Sequence, residues 1–381
     1  IYLPTPKNIS YLWNFGSILG FSLVVQILSG IILSFFYNSN TPFYSIDLIS
    51  REINNGWFIR FIHANGASIY FFFLYVHIFR SIYFFSFMFS YVWLLGCIIL
   101  ISSMAVAFLG YSLPFGNMSF WGVTVILNFF SVLPYGDSII NLITGGNVGL
   151  HTITRFYSLH YFIPFLIILF IIAHIIILHW TGSNNPIGIN SNKFKNVFHP
   201  YFLLQDVLGI SFILNLYFFY CILYPYSLLD FENFSEADSL NTPLHIQPEW
   251  YFLAAYAALR SIPNKTGGVI ILVSFICILV LLPVLSYNLN RSNNESHDII
   301  WSIWIINFYI LTNLGSLPAV YPYVSISQYA TFLYFFILIN FNYLLKITDL
   351  NSLNSNQCGI FDQIWSNAPY IFNLLKKYAN S

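Results

Sequence analysis

Charged residues are scarce in this chain of 381 residues. Asp, Glu, Lys and Arg make up 7% of it, against roughly 25% in a typical soluble domain, and 58% of the residues are hydrophobic. Such a composition cannot build an ordinary soluble surface. The thirteen basic and thirteen acidic residues also cancel, so the chain lacks the basic surface that nucleic-acid binding requires. We therefore expect most of the surface to face lipid and no nucleic acid to bind.

Cysteine is equally scarce. The four cysteines stand alone in the sequence, with no CxxC pair and no CxxCH motif for covalent haem attachment. Isolated thiols in apolar runs are mostly packing residues, so the cysteines give no indication of a functional site.

Long apolar runs, in contrast, occur along most of the chain. Residues 119–149 have a helical apolar pattern interrupted by Pro134 and by glycines, which favours a helical hairpin on the membrane surface. Eight other runs are long enough to cross a bilayer, at about 12–37, 58–86, 90–111, 156–180, 207–225, 268–287, 300–316 and 323–345. The sequence therefore predicts an all-α membrane protein with eight transmembrane helices.

The basic residues predict the orientation of these helices. An even number of crossings places both termini on one side, together with Lys7, Arg80, Lys193, Lys195, Arg291, Lys346, Lys376 and Lys377. The opposite side has fewer: Arg51, Arg60, Arg155, Arg260 and Lys265. The positive-inside rule then places both termini on the cytoplasmic or matrix side, called the inner side below.

Four of the nine histidines lie well inside predicted spans, away from their ends. His63 and His77 lie in the second span and His160 and His174 in the fourth, and each pair is 14 residues apart. Fourteen helical residues rise about 21 Å and return nearly to the same face. Because both helices run from the outer to the inner side, His63 should lie at the depth of His160, and His77 at the depth of His174. The spacing predicts two stacked sites.

Two facing imidazoles at each depth suit the binding of a haem iron with no open position, which favours electron transfer over oxygen chemistry. Zinc would require two further ligands, and the sequence offers none at these depths. A hydrogen-bonded core histidine is the ordinary interpretation of any one of the four alone. Two pairs with the same spacing favour two non-covalent haems, since ionisable residues inside a membrane usually serve a function. Of the other five histidines, four are assigned to loops with solvated or interfacial roles: His151, His199, His245 and His297.

Four glycines in the neighbouring helices repeat the same 14-residue spacing: Gly16 and Gly30 in the first span, Gly96 and Gly110 in the third. A missing Cβ would let these helices approach a flat macrocycle, although glycine is also common in ordinary membrane-helix packing.

Haem propionates need cations, and three arginines flank the spans at suitable depths: Arg60, Arg80 and Arg155. Snorkelling of their side chains to the interface is the alternative explanation.

Longer motifs are more specific than these spacings. They read WNFGS from Trp13, RFIHANGAS from Arg60, MSFWG from Met118, GSNNP from Gly182, PEWY from Pro248 and RSIPNK from Arg260. On these motifs the chain resembles the cytochrome b family, the di-haem core subunits of respiratory quinol:cytochrome c oxidoreductase (complex III). The resemblance extends from about Leu3 to Lys346.

The resemblance implies a domain organisation and a function. Residues 1–185 would form a four-helix bundle around two stacked b haems, residues 186–346 a C-terminal four-helix region, and 347–381 a polar tail with a loop at 351–356. His63 and His160 would bind the low-potential haem near the outer side, and His77 and His174 the high-potential haem near the inner side. Quinol would be oxidised at an outer site and quinone reduced at an inner site, coupled to proton translocation.

The family's quinone-site residues map onto positions of this chain. The outer site would contain the catalytic residue Glu249 together with Phe108, Tyr111, Tyr251 and Tyr256. The inner site would contain Asn14, Ser17, His179, Ser183, Phe198 and Asp206. Other interpretations are open: Glu249 as the cap of a short helix, His179 as an interfacial anchor, and Asp206 as a helix cap.

Three departures from the family pattern qualify the match. Gln205 stands where the family often has Lys, Phe115 stands in a motif that commonly reads Pro-Trp-Gly, and the surface hairpin is about two residues short. Because of Gln205, a second cationic proton relay at the inner site is in doubt. Because of the short hairpin, the family's inhibitor preference at the outer site should not be transferred to this chain.

The resemblance also implies partners and a location. Ubiquinol and ubiquinone would be the substrates, and an iron–sulfur protein subunit, a cytochrome c-type subunit and accessory subunits of complex III the partners, in a homodimer of complexes surrounded by lipid. The expected location is the mitochondrial inner membrane, with both termini in the matrix; a bacterial plasma membrane is the alternative. Two other functions remain open: a haem-free transporter with proton-relaying histidines, and a standalone di-haem reductase of metals or oxygen.

Overall fold

The computed structural model describes residues 3–286 and 295–354. Across these ranges the strands are β1 (Pro4–Pro6) and β2 (Lys195–Val197), which pair antiparallel. The helices are α1 (Phe15–Ser34), α2 (Pro42–Arg51), α3 (Gly56–Tyr83), α4 (Ser90–Ser112), α5 (Asn117–Phe130), α6 (Gly136–Thr144), α7 (Leu150–Thr181), α8 (Tyr201–Leu223), α9 (Leu253–Arg260), α10 (Lys265–Leu285), α11 (Glu295–Ser316) and α12 (Tyr323–Asn354).

Eight of these helices are long and apolar enough to cross a membrane: α1, α3, α4, α7, α8, α10, α11 and α12. The predicted all-α fold with eight transmembrane helices is therefore confirmed. The pair α5 and α6 forms the predicted hairpin between α4 and α7. Within the spans large apolar side chains are exposed on many faces, as expected of helices whose surroundings are lipid.

Some boundaries differ from the prediction. Helix α7 begins at Leu150, earlier than the predicted 156, and α12 continues to Asn354, so that 351–354 is helical where a loop was predicted. Neither glycine nor proline occurs between Tyr323 and Asn354, so the sequence contains no strong helix breaker there. The other predicted tail residues, 355–381, lie outside the described ranges.

The assignment of His151 and His297 to loops was wrong. His151 is the second residue of α7, and His297 is the third of α11, because both helices begin before the predicted boundaries. His151 is exposed, but His297 is fully buried, and its ring packs against Tyr83, Phe85 and Phe341.

A four-helix bundle forms the N-terminal part of the molecule. In it α1 packs along α3, and α4 packs along α7. Helix α8 packs mainly on α1 and α3, and the β1–β2 pair brings the N-terminal segment to the loop that precedes α8. This arrangement places the start of α1 beside the start of α8, where the inner site is expected.

Helices α9 to α12 pack on one another in the C-terminal part. Their core is aromatic: the rings of Phe275 and Tyr334 are stacked with centroids 3.9 Å apart. A short 3₁₀ helix, Trp250–Phe252, joins α9 to the bundle and contacts α3 and α11. The segment that contains Glu249 therefore lies between the two halves of the molecule.

Candidate functional site

The four glycines and four histidines meet in pairs. A Cβ added at Gly30 would lie 2.9 Å from Cε1 of His63, and one at Gly110 would lie 2.5 Å from Cε1 of His160. The corresponding distances are 3.7 Å from Gly16 to His77 and 3.5 Å from Gly96 to His174. The 14-residue spacing in α1 and α4 therefore matches the spacing in α3 and α7, with one glycine against each imidazole.

The outer pair faces across the bundle. The ring centroids of His63 and His160 lie 6.0 Å apart with their planes at 87°. Histidine–metal bonds of about 2.0–2.1 Å, as found for zinc, leave room for one ion between rings at this separation. The two imidazoles would therefore be the residues that hold a haem iron at this depth.

Hydrogen bonds fix the tautomer of both outer rings. Nδ1 of His160 lies 2.9 Å from the carbonyl oxygen of Val106, which can only accept, so this nitrogen is the donor. Nδ1 of His63 lies 3.0 Å from Oγ of Ser29, whose own hydrogen is directed to the backbone carbonyls of Val25 and Gln26. Nδ1 therefore donates in both rings, and Nε2 has the lone pair that a metal ligand needs.

The inner pair lines a larger cavity, of about 640 Å³, to which Gly16 and Gly96 also contribute. Nδ1 of His77 is buried and has no hydrogen-bond partner among the described residues. A buried polar atom without a partner is costly in a protein unless a ligand is bound nearby. His77 and His174 line one cavity together with the glycines opposite them, so the inner histidines also fit a bound group, and the bundle offers two such places at different depths.

The three predicted propionate partners differ in position. Arg60 lines the outer cavity and donates from Nη1 to Oγ of Ser50 at 2.8 Å. Arg80 lines the inner cavity with its guanidinium 4.4 Å from the ring centroid of Trp13. Arg155 lies outside the lining of both cavities, where its Nη1 donates to the carbonyl of Leu142 at 2.7 Å. The geometry brings two of the three cations to a cavity.

Glu249 lines the outer cavity, whose volume is about 260 Å³. It occupies the N-cap position of the 3₁₀ helix Trp250–Phe252, yet its side chain makes no capping hydrogen bond, which argues against a purely capping role. Burial, together with the nearby carboxylate of Asp230, raises the pKa of Glu249 to about 7. A carboxyl group with this pKa can gain or lose a proton at neutral pH.

Two aromatic residues fix the segment that follows Glu249. The ring of Tyr251 is stacked on Phe71 with centroids 4.2 Å apart, and its carbonyl accepts a hydrogen bond from the Tyr75 hydroxyl. Nε1 of Trp250 donates to Oγ of Ser68 at 3.1 Å. Burial, with the Glu249 carboxyl nearby, holds the pKa of Tyr251 well above its usual value, so this phenol stays protonated.

Only one of the other three predicted outer-site residues lines the outer cavity. Tyr111 lines the outer cavity, whereas Phe108 and Tyr256 do not. Phe108 packs against Phe156, and the hydroxyl of Tyr256 donates to the carbonyl of Ile246 at 3.3 Å. These two residues are therefore not part of the lining of the outer cavity.

All six predicted inner-site residues line the inner cavity: Asn14, Ser17, His179, Ser183, Phe198 and Asp206. Oγ of Ser17 lies 2.8 Å from Oδ1 of Asp206, and Nδ2 of Asn14 donates to the carbonyl of Gln205 at 2.9 Å. Asp206 is the sixth residue of α8, where Pro200 is the N-cap, so a capping role for the carboxylate is excluded.

Sequence reasoning missed several residues at the sites. Gln26 and Ser29 of α1 bond to the backbone and the ring of His63, and Asp230 lies beside Glu249. Gln26 could have been found, since a polar amide in so apolar a helix is expensive without a partner. The position of Asp230 has no such signal, because an acidic loop residue is usually solvated.

The comparisons with known proteins agree with this geometry. Residues 1–182 match a family model described as cytochrome b/b6/petB, and residues 236–335 match cytochrome b(C-terminal)/b6/petD. A cytochrome b of Apis mellifera ligustica is 49% identical over 359 residues, which cover 92% of either chain. A chain of a hyperthermophilic respiratory complex III has a TM-score of 0.86 and 29% identity, and the match covers 91% of this chain and 94% of that one.

Proposed function

The chain belongs to the cytochrome b family, the electron-transferring core subunits of respiratory complex III, and on this premise we propose that it oxidises quinol at the outer cavity and reduces quinone at the inner cavity. One observation carries the proposal. Each histidine pair shares its cavity with a carboxylate, Glu249 at one depth and Asp206 at the other. Each histidine pair, which would hold an electron carrier, thus lies in the same cavity as a carboxylate that could accept or donate a proton.

The histidine pairs and their glycines are the residues we assign to haem. His63 and His160 would hold the low-potential haem, His77 and His174 the high-potential haem, and Arg60 and Arg80 would pair with propionates. When bound there, haem b supplies a one-electron carrier at each depth. The assignment of Arg155 to a propionate stays a prediction.

At the outer cavity we assign to Glu249 the uptake of a quinol proton. Its pKa of about 7 lets the carboxylate accept a proton at neutral pH and release it again. The stacked rings of Tyr251 and Phe71 form an apolar part of the cavity wall beside it. Tyr111 would contact the quinol ring. Phe108 and Tyr256 would stabilise the site from outside the cavity lining.

At the inner cavity we assign to His179 and Asp206 the hydrogen bonds to quinone and the delivery of its protons. Ser17 orients Asp206 by a hydrogen bond of 2.8 Å. Asn14, Ser183 and Phe198 complete the lining. Since Gln205 replaces a lysine that is frequent in the family, we assign no second cation to this relay.

The two cavities make the protein a charge-separating device. An electron that crosses the membrane fully against its potential stores about 2.3 kcal/mol per 100 mV, and coupling to protons on opposite faces would amount to proton translocation. An iron–sulfur subunit and a cytochrome c-type subunit must accept the outward electron. We place the chain, as one copy in a dimer of complexes with accessory subunits, in the mitochondrial inner membrane with its termini in the matrix.

The test is quinol-dependent haem reduction in the assembled complex. We expect a reduced-minus-oxidised spectrum with two b-type components, and Glu249→Gln should slow reduction of the low-potential component about 100-fold, the usual contribution of a positioned base. A protein without b-type bands would refute the haem assignment. A standalone reductase would keep its rate in Glu249→Gln, and that result would refute the outer quinol site.

A further inference from the structure

The last turn of α11 is capped by an arginine from another helix. Arg260, the last residue of α9, donates from Nη2 to three carbonyl oxygens at 2.8–3.1 Å, those of Leu314, Gly315 and Leu317. The last carbonyls of a helix lack partners within the helix, and a cation there also interacts favourably with the helix dipole. Arg260 therefore supplies hydrogen bonds to the carbonyl oxygens at the end of α11 rather than to its own helix.

His245 caps the same turn of α11. It precedes Glu249 in the sequence, whereas Arg260 follows it. Its Nε2 lies 2.9 Å from the carbonyl oxygen of Ser316, the last residue of α11. A carbonyl oxygen can only accept, so Nε2 has the hydrogen. The chain therefore contacts one turn of α11 both before and after Glu249.

Residues 245–260, the segment between these two contacts, also make contacts with one another and with α11. The guanidinium of Arg260 lies 4.6 Å from the ring centroid of Tyr256, whose hydroxyl donates to the carbonyl of Ile246. A Cβ at Gly315 would lie 2.3 Å from the carbonyl oxygen of Leu253, so α9 and α11 touch through backbone. The close approach leaves little freedom for residues 245–260 to move relative to α11.

We propose that Arg260 and His245 are positioning residues, which hold segment 245–260 on the last turn of α11 and thereby fix the Glu249 carboxyl at the outer cavity. The proposal rests on the outer quinol site proposed above. Ser68 and Tyr75 of α3 hold Trp250 and Tyr251 from the bundle side, so Glu249 lies between two anchors. Neither Arg260 nor His245 lines the cavity, so each acts through the backbone that it holds.

The physical basis is the sensitivity of proton transfer to distance. A displacement of about 1 Å at a reacting group can cost about 100-fold in rate. Release of one anchor would let the Glu249 segment shift while the histidine pairs, held by α3 and α7, stay in place. The effect should therefore fall on the outer site alone.

The experiment uses the assembled complex in native membranes. The rate of low-potential haem reduction by quinol is measured with the inner site inhibited, and that of high-potential haem reduction with the outer site inhibited. We expect Arg260→Gln to lower the outer rate at saturating quinol about tenfold or more, with the inner rate and the haem spectrum unchanged. His245→Ala should lower it severalfold, and His245→Gln, which keeps an N–H donor, should restore it.

The matched control is Arg51→Gln, the same substitution at an exposed arginine of α2 that pairs with Asp47, for which we expect both rates unchanged. An unchanged outer rate in Arg260→Gln, or equal losses at both sites together with loss of haem, overturns the proposal. If Arg260→Gln does not assemble, equal outer rates in His245→Ala and wild type overturn it. A loss of the outer rate in Glu249→Gln but not in these variants refutes the positioning alone, whereas no loss in Glu249→Gln refutes the proposed outer site itself.

Discussion

The outer and inner cavities are built on the same 14-residue spacing of histidines and glycines, but their carboxylates differ in their hydrogen bonds. The outer cavity is the smaller, about 260 Å³ against 640 Å³, and its Glu249 makes no capping hydrogen bond. In the inner cavity Asp206 accepts a hydrogen bond from Ser17, and the neighbouring amide of Asn14 is bonded to the backbone of α8. We infer that a hydrogen bond from Ser17 orients the inner carboxyl, whereas no capping hydrogen bond orients the outer one.

The largest effect that separates the two sites should come from the histidines. His160→Leu removes one of the two imidazoles that would hold haem at the outer depth, so we expect complete loss of the low-potential b-type component and retention of the other. His174→Leu should give the reverse pattern, measured by potentiometric titration of the b bands. His151→Gln, at an exposed position of the same helix, is the control and should change neither. Loss of both components together in either variant would contradict two independent sites.

The next largest effect should be the pH dependence of the outer rate. The pKa of Glu249 is raised to about 7, so the proton-accepting carboxylate becomes rare below this pH. The low-potential haem should then be reduced about tenfold more slowly for each unit below pH 7, because the ionised fraction falls tenfold, with a plateau above it. Stopped-flow reduction between pH 5 and 9 measures this profile. A profile that is unchanged in Glu249→Gln would assign the titration to another group.

A smaller difference is expected from the glycines. A Cβ at Gly110 would lie 2.5 Å from the His160 ring, whereas one at Gly96 would lie 3.5 Å from the His174 ring, an ordinary contact. Overpacking costs about 1–3 kcal/mol, so Gly110→Ala should weaken retention of the outer haem about tenfold, and Gly96→Ala should leave the inner haem within about twofold. Haem release at rising denaturant measures both. Equal losses in the two variants would show that the glycines serve only helix packing.

The sequence predicted the spans because the length and hydropathy of each run decide whether it crosses a bilayer. It did not predict α2, a helix of ten residues with Pro42 at its first position, since a short helix has no such length signal. The histidine and glycine pairs could be predicted because helical periodicity fixes their faces. The positions of Arg155 and Tyr256 could not, since whether a long side chain enters a cavity or bonds a nearby carbonyl depends on tertiary packing.

The smallest effect concerns the hydrogen bond that distinguishes Asp206 from Glu249. The hydroxyl of Ser17 has one hydrogen, which it shares between Oδ1 of Asp206 and the carbonyl of Asn14, both at 2.8 Å. Its removal in Ser17→Ala costs the carboxylate only part of one bond, and a net hydrogen bond contributes about 0.5–1.5 kcal/mol. We therefore expect reduction of the high-potential haem through the inner site to slow about threefold, with the outer rate unchanged. Ser22→Ala is the matched control, because that hydroxyl bonds only to the Leu19 carbonyl within α1. A Ser17→Ala rate equal to that of Ser22→Ala would mean that the Ser17 hydrogen bond does not distinguish Asp206 from Glu249. The contrast between the cavities would then rest on their size alone.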